Sequence, residues 1–189
     1  MEVFIIRHTA VKEAQGLCYG HSEIDLAETF ATESQRIVDQ CPEIFDVVFS
    51  SPLQRCTQLA GQLLARQVRT DNRLKEVHFG TWERKAWNDI PRTELDPWMD
   101  DFVDVAPPGG ESLRQLYTRV NAFLNELRNV PHQRVAVVTH AGVVRCVWAA
   151  LLGIPLQNIF KIQVSYGQIQ AFELGPEPAF DRWLSSVVN

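Results

Sequence analysis

The sequence has no run approaching the roughly twenty apolar residues that a membrane-spanning helix needs. Its amino terminus, Met1-Glu2-Val3-Phe4-Ile5-Ile6-Arg7, also lacks the basic region and apolar core of an export signal. A cytoplasmic location is therefore expected. Cysteine is scarce: Cys18, Cys41, Cys56 and Cys146 stand without paired spacing, which favours free thiols, read as small buried hydrophobes, over a disulfide framework. No C-x-x-C or H-E-x-x-H pattern occurs, so no metal site is expected. Basic residues are in deficit, with 18 Lys and Arg against 23 Asp and Glu and a formal net charge of -5. That balance gives no general attraction to nucleic acid, and an anionic ligand would have to be met by a few local arginines. Internal repeats and low-complexity segments are missing as well.

What is present suits one compact core. The length of 189 residues, with 46% hydrophobic and 22% charged residues, matches a single domain over residues 1–189, any second lobe being an insertion. Residues 3–6, 46–49 and 135–138 are short β-branched or aromatic runs that predict buried strands. After the second run, Ser50-Ser51-Pro52 supplies hydroxyl caps and a first-turn proline, predicting a helix over 52–66. After the third, Thr139-His140-Ala141-Gly142 opens a helix that Gly153-Ile154-Pro155 ends. Apolar periodicity predicts two further helices, over 27–40 and 111–127. Strands alternating with helices point to an α/β sandwich. Residues 161–174 alternate weakly and predict one more strand, antiparallel at the sheet edge. Residues 81–110, rich in tryptophan and acidic side chains and closed by Pro107-Pro108-Gly109-Gly110, read as a lid insertion.

In open α/β sheets ligands bind beyond the carboxyl ends of the strands. The first strand is followed by Arg7-His8, the second leads within a helical turn to Arg55, and the third runs into His140. A lone histidine is usually structural and a lone arginine usually solvated or salt-bridged, but here two of each share one topological position. Guanidinium groups bind phosphate in bidentate fashion and stay cationic at physiological pH, which suits an oxyanion pocket built without a metal. A phosphate monoester is the ligand this pattern favours.

Those residues also form a family pattern. Arg7-His8-Thr9 resembles the Arg-His-Gly signature of the histidine phosphatase, or phosphoglycerate mutase-like, superfamily. The run from Ser50 to Ala60 resembles its second arginine motif, Leu74-Lys75-Glu76-Val77-His78-Phe79-Gly80-Thr81-Trp82-Glu83 its acid-residue segment, and Val138-Thr139-His140-Ala141-Gly142 its second-histidine motif. The resemblance implies a three-layer α/β/α sandwich with a mostly parallel sheet. It also implies His8 as nucleophile, Arg7, Arg55 and His140 holding the phosphoryl oxygens, Glu76 as proton donor, and no metal or organic cofactor. Glu76 must then be protonated with substrate bound, a state that a neighbouring phosphate dianion favours. Two departures stand out: Thr9 replaces the usual glycine, which requires a position without positive φ, and Ala14 replaces an asparagine that touches phosphate in many members.

Within the superfamily, Gly16-Leu17-Cys18-Tyr19-Gly20-His21, Asp25-Leu26, the segment from Leu95 to Phe102 and Gly109-Gly110-Glu111-Ser112 resemble the α-ribazole phosphatases of cobalamin synthesis. The implied substrate is α-ribazole 5′-phosphate or the corresponding cobalamin phosphate, a small nucleotide-like ester. Its flat base would stack on lid aromatics, with Trp82 and Trp98 as the candidates beside Trp87 and Phe102. The alternative is that these aromatics form the core of the segment itself. His21 and His78 stay outside the catalytic set. Competing readings are a phosphoglycerate mutase, which returns the phosphoryl group to substrate, a broad-specificity sugar phosphatase, and a non-catalytic phospho-ligand sensor. Oligomeric state has no signature in the sequence.

Overall fold

The computed structural model describes residues 1–12 and 15–187; Ala14 lies outside the described residues. Strands β1 (Glu2–Arg7), β2 (Val47–Ser50), β3 (Val68–Thr70), β4 (Arg134–Thr139), β5 (Ile169–Glu173) and β6 (Arg182–Val187) form one sheet in the order β3-β2-β4-β1-β5-β6. β1, β2, β3 and β4 run parallel, whereas β5 is antiparallel to β1 and β6 to β5. Alternation along the strands divides the interior into two layers. Val3, Ile5, Val47, Val135 and Val137 pack under α4 (Leu113–Leu127) and α5 (Ala141–Leu152). Ile6, Val48, Ala136 and Val138 pack under α1 (Phe30–Gln40) and α2 (Gln54–Ala60). Each buried Val or Ile side chain contributes about 1.5–3 kcal/mol by leaving water. This is the expected α/β/α sandwich. Among the described residues no helix is long and apolar enough to cross a membrane.

Several expected elements differ in extent or position: α1 starts at Phe30 instead of residue 27 and α4 at Leu113 instead of residue 111. α2 ends at Ala60 instead of residue 66, because the chain must turn back to lay β3 beside β2; Phe45 N–H and Val48 N–H already donate to the Leu64 and Gln67 carbonyls. The strand expected in 161–174 is antiparallel, as β5, but it is not at the edge, since β6 covers it. The hydroxyl cap expected at α2 is also absent: its N-cap is Leu53. α4 starts at Leu113 behind a capping box in which Ser112 Oγ accepts the Gln115 N–H and Gln115 Oε1 accepts the Ser112 N–H.

The chain between β3 and α4 carries three 3-10 turns and α3 (Arg92–Asp100). Its own apolar cluster joins Trp82, Ile90 and Leu95 to Cys18 of the loop after β1, with Phe79, Trp87 and Trp98 packed against it. The ends of this excursion meet at a neck. Thr81 N–H donates to the Pro108 carbonyl at 2.9 Å and Glu111 N–H to the His78 carbonyl at 2.9 Å. Gly80, at φ +56°, leaves no room for a side chain there, since a Cβ would fall 2.1 Å from the Pro108 oxygen.

Candidate active site

The carboxyl ends of β1, β2 and β4 lie side by side, with Arg7 in register with Thr139 and Ser50 with Val138. His8 follows β1 and is buried. Its Nδ1 lies 2.7 Å from the Thr9 carbonyl oxygen. A carbonyl only accepts, so Nδ1 carries the proton and Nε2 keeps its lone pair. Burial and the neighbouring Arg55 and Arg7 cations hold the His8 pKa well below the usual 6.5, so the ring is neutral at physiological pH. Thr9 is not at positive φ, which is the condition under which it replaces glycine without strain.

His140, the N-cap residue of α5, is fully buried, with its ring centroid 5.1 Å from that of His8. Arg55 Nε–H donates to His140 Nδ1 at 3.3 Å, which leaves the His140 proton on Nε2, 2.8 Å from Ser51 Oγ. Ser51 thus serves His140 rather than capping α2. Burial, then His8 and Arg55, lower the His140 pKa well below its usual value. Arg55 itself is fully buried, and its terminal nitrogens donate to the Ser22 carbonyl at 2.9 Å and the Gly20 carbonyl at 2.6 Å. It ties the loop after β1 to the second histidine. Arg7 donates from Nη1 to the Val164 carbonyl at 2.7 Å, stacks 3.8 Å over the Tyr166 ring, and keeps a buried Nε without an acceptor. The Tyr166 hydroxyl meets that of Tyr19 at 2.8 Å, above the two arginines.

Glu76 approaches from the loop after β3. Its carboxylate accepts the Val77 N–H at 3.0 Å through Oε1 and the Gly142 N–H at 3.0 Å through Oε2, which anchors it two residues from His140. Its backbone is fixed from α4, where Arg119 donates to the carbonyls of Lys75 at 2.7 Å and Glu76 at 2.8 Å while pairing with Glu111. Beyond Glu76 opens a cavity of about 160 Å³ whose walls include Phe79, Trp87, Trp98, Phe102, Phe160 and Leu116.

Of the residues expected to act, Arg7, His8, Arg55 and His140 come together and Glu76 joins them through Gly142. Trp98 lines the cavity beside Glu76. Trp82 does not: it is fully buried and donates Nε1–H to Glu94 at 2.7 Å, so no face is open for a base to stack on. His21 and His78 stack on each other at 4.6 Å, and His21 Nε2–H donates to the Glu76 carbonyl at 2.9 Å. Tyr19, Tyr166, Ser51, Arg119 and Glu83 were not singled out from sequence. Glu83 was within reach, being the last residue of the acid-residue segment that carries Glu76.

The model of the histidine phosphatase superfamily (branch 1) matches residues 3–183. An adenosylcobalamin/alpha-ribazole phosphatase of Escherichia coli (strain K12) is 28% identical over 195 residues, covering 98% of this chain and 96% of that protein. A putative phosphoserine phosphatase 2 of Hydrogenobacter thermophilus is 24% identical over 183 residues, covering 93% of this chain and 90% of that protein. Among solved structures, the alpha-ribazole phosphatase from Shigella flexneri superposes with a TM-score of 0.87 at 25% identity, covering 97% of this chain and 95% of that one.

Proposed function

Because this chain belongs to the histidine phosphatase superfamily, we propose that it hydrolyses a small phosphomonoester by way of a phosphohistidine on His8, and that the ester is α-ribazole 5′-phosphate. The observation that carries the mechanism is the His8 tautomer. With Nδ1–H held by the Thr9 carbonyl and the ring kept neutral by burial and two arginines, the Nε2 lone pair is available for in-line attack on phosphorus. The unpartnered Arg7 Nε and the remaining Arg55 N–H groups supply donors for the phosphoryl oxygens, and His140 joins them by turning its Nε2–H from Ser51 Oγ to the bound phosphoryl group. A buried donor without a partner costs free energy that a bound oxyanion restores.

Nε2 bonds to phosphorus as the P–O ester bond breaks, and the departing alkoxide takes a proton from Glu76. Water then attacks the phosphohistidine, gives its proton to the Glu76 carboxylate and regenerates neutral His8 with release of phosphate. The leaving group must lie on the Glu76 side of phosphorus, and there the aromatic cavity begins. A flat nucleoside base suits such walls, with Trp98 among its stacking surfaces. Both alpha-ribazole phosphatases named above support that substrate. In this reading residues 81–110 are the lid over the leaving group, and the unpaired Cys18, Cys41, Cys56 and Cys146 suit a reducing cytoplasm.

Phosphate release from α-ribazole 5′-phosphate, 3-phosphoglycerate, a sugar phosphate and an aryl phosphate, with EDTA present and His8→Ala as control, tests both halves. The expected result is a far higher kcat/KM for the ribazole ester, abolished in His8→Ala. A His8-dependent enzyme that prefers another ester keeps the mechanism and loses the substrate. Conversion of 3-phosphoglycerate to its isomer without phosphate release identifies a mutase instead.

A further inference from the structure

Arg145 lies on α5, on the wall of the same cavity as Glu76. It is half-buried. Its Nε–H donates to the Ile162 carbonyl at 3.1 Å and its guanidinium sits 5.4 Å from the Phe160 ring centroid. Among the described residues, neither terminal nitrogen has a protein acceptor and no carboxylate pairs with it. The other charged groups of the lining are already engaged: Glu111 with Arg119 and the His78 N–H, Glu76 with the Val77 and Gly142 N–H groups. Burial depresses the Arg145 pKa, with the Glu76 charge only opposing this, as befits a cation whose hydration is not replaced by protein partners. The rest of the wall is aromatic and aliphatic and offers a flat ring dispersion contacts but little to orient it.

We infer that Arg145 is a specificity-determining residue that donates a hydrogen bond from its terminal nitrogens to an acceptor atom on an aromatic heterocycle of the leaving group. The substrate class is then phosphomonoesters of heteroaromatic nucleosides, as opposed to those of plain aryl alcohols or polyols; this rests on the hydrolytic reading above. A ring nitrogen with an in-plane lone pair, as in benzimidazole, meets the requirement, and a ring carrying C–H at that place does not. A site built around such a donor discriminates strongly, because the analogue leaves the guanidinium desolvated and unpaired.

The test compares the α-ribosides of benzimidazole and indole as 5′-phosphates, which differ at the ring in one nitrogen replaced by C–H. The wild-type enzyme is expected to favour the benzimidazole ester about 10- to 100-fold in kcat/KM, with the ratio collapsing to within about twofold in Arg145→Met and partly retained in Arg145→Lys. Because Arg145 and Glu76 share the cavity, a general loss of proton transfer lowers both substrates together, and the ratio alone reports base recognition. A wild-type ratio near one, or a ratio that Arg145→Met leaves unchanged, overturns the assignment; the wild-type ratio decides alone should the variants fail to fold. Turnover that survives His8→Ala removes the phosphohistidine instead, and failure to hydrolyse either riboside removes the nucleoside substrate and the role of Arg145 together.

Discussion

Glu76 and Gly142 touch across 66 positions of sequence: Glu76 Oε2 accepts the Gly142 N–H at 3.0 Å, and a Cβ on Gly142 would fall 2.2 Å from Oε1. The absence of a side chain at 142 is therefore what lets the proposed proton donor reach the start of α5. Since the obstructing atom is the end of a flexible side chain, Gly142→Ala should fold and push the carboxylate aside. We expect kcat to fall by about 100-fold, the cost of a displacement of roughly 1 Å in a reacting group. KM and thermal stability should change little. Steady-state kinetics beside a melting curve check this, and an unchanged kcat means that Glu76 does not transfer the proton.

Glu83 organises the proposed phosphate pocket through the loop after β1. Its carboxylate accepts the N–H groups of Gly20, His21, Ser22 and Phe79 and the Ser22 hydroxyl. The carbonyls of Gly20 and Ser22 in turn receive Arg55. Glu83→Gln should destabilise the fold by about 1–3 kcal/mol and weaken inhibition by inorganic phosphate more than it lowers kcat. Burial raises the Glu83 pKa, but hydrogen bonds from Ser22, Gly20, His21 and Phe79 outweigh it and leave the group below its usual 4.5. Its contribution is thus complete above pH 4.5 and lost as pH falls through the lower folded value. Acid unfolding of Glu83→Gln should be correspondingly shallower; equal acid sensitivity in the two proteins counts against this role.

The two buried histidines set a second pH dependence. Folding depresses both pKa values, so the unfolded chain binds protons that the folded one refuses once pH drops below about 6.5. Stability should be level above pH 7 and decline below 6.5, by at most about 1.4 kcal/mol per pH unit for each histidine. Denaturant titrations at pH 7.5, 6 and 5 measure the slope, and His140→Gln should reduce it. A slope identical in wild type and variant places the acid sensitivity elsewhere.

Trp82 and Trp98 should separate stability from recognition. Trp82→Ala empties a fully buried position and strands Glu94, with an expected loss of about 3–5 kcal/mol. Trp98→Ala should keep most of the stability and raise KM for a nucleoside phosphate by about tenfold, while leaving a small alkyl phosphate nearly unaffected. Equal effects on both esters would assign Trp98 to the packing of residues 81–110 alone.

Much of this site was legible because a parallel sheet aligns its strands. A short β-branched run followed at once by Arg7-His8, or by His140, already places those side chains at the carboxyl edge, whatever the loops do. The acid-residue segment likewise pointed to Glu76, and the helical spacing of apolar residues announced α4, whose capping box at Ser112 and Gln115 only the structure showed. What the sequence could not carry was set by contacts between distant segments. The end of α2 depends on β3 pairing with β2, a competition that helix periodicity does not register. The status of the two tryptophans depends on tertiary packing: Trp82 is buried within the cluster with Cys18, Ile90 and Leu95, whereas Trp98 packs against it from outside. The histidine tautomers depend on the Thr9 carbonyl for His8 and on Arg55 for His140. By itself the sequence determined which chemical groups stand at the end of each strand, since that follows from local order along the chain. Only the tertiary structure decided which of their nitrogens are free to react, because a donor or acceptor is occupied or left open by whatever the rest of the chain brings against it.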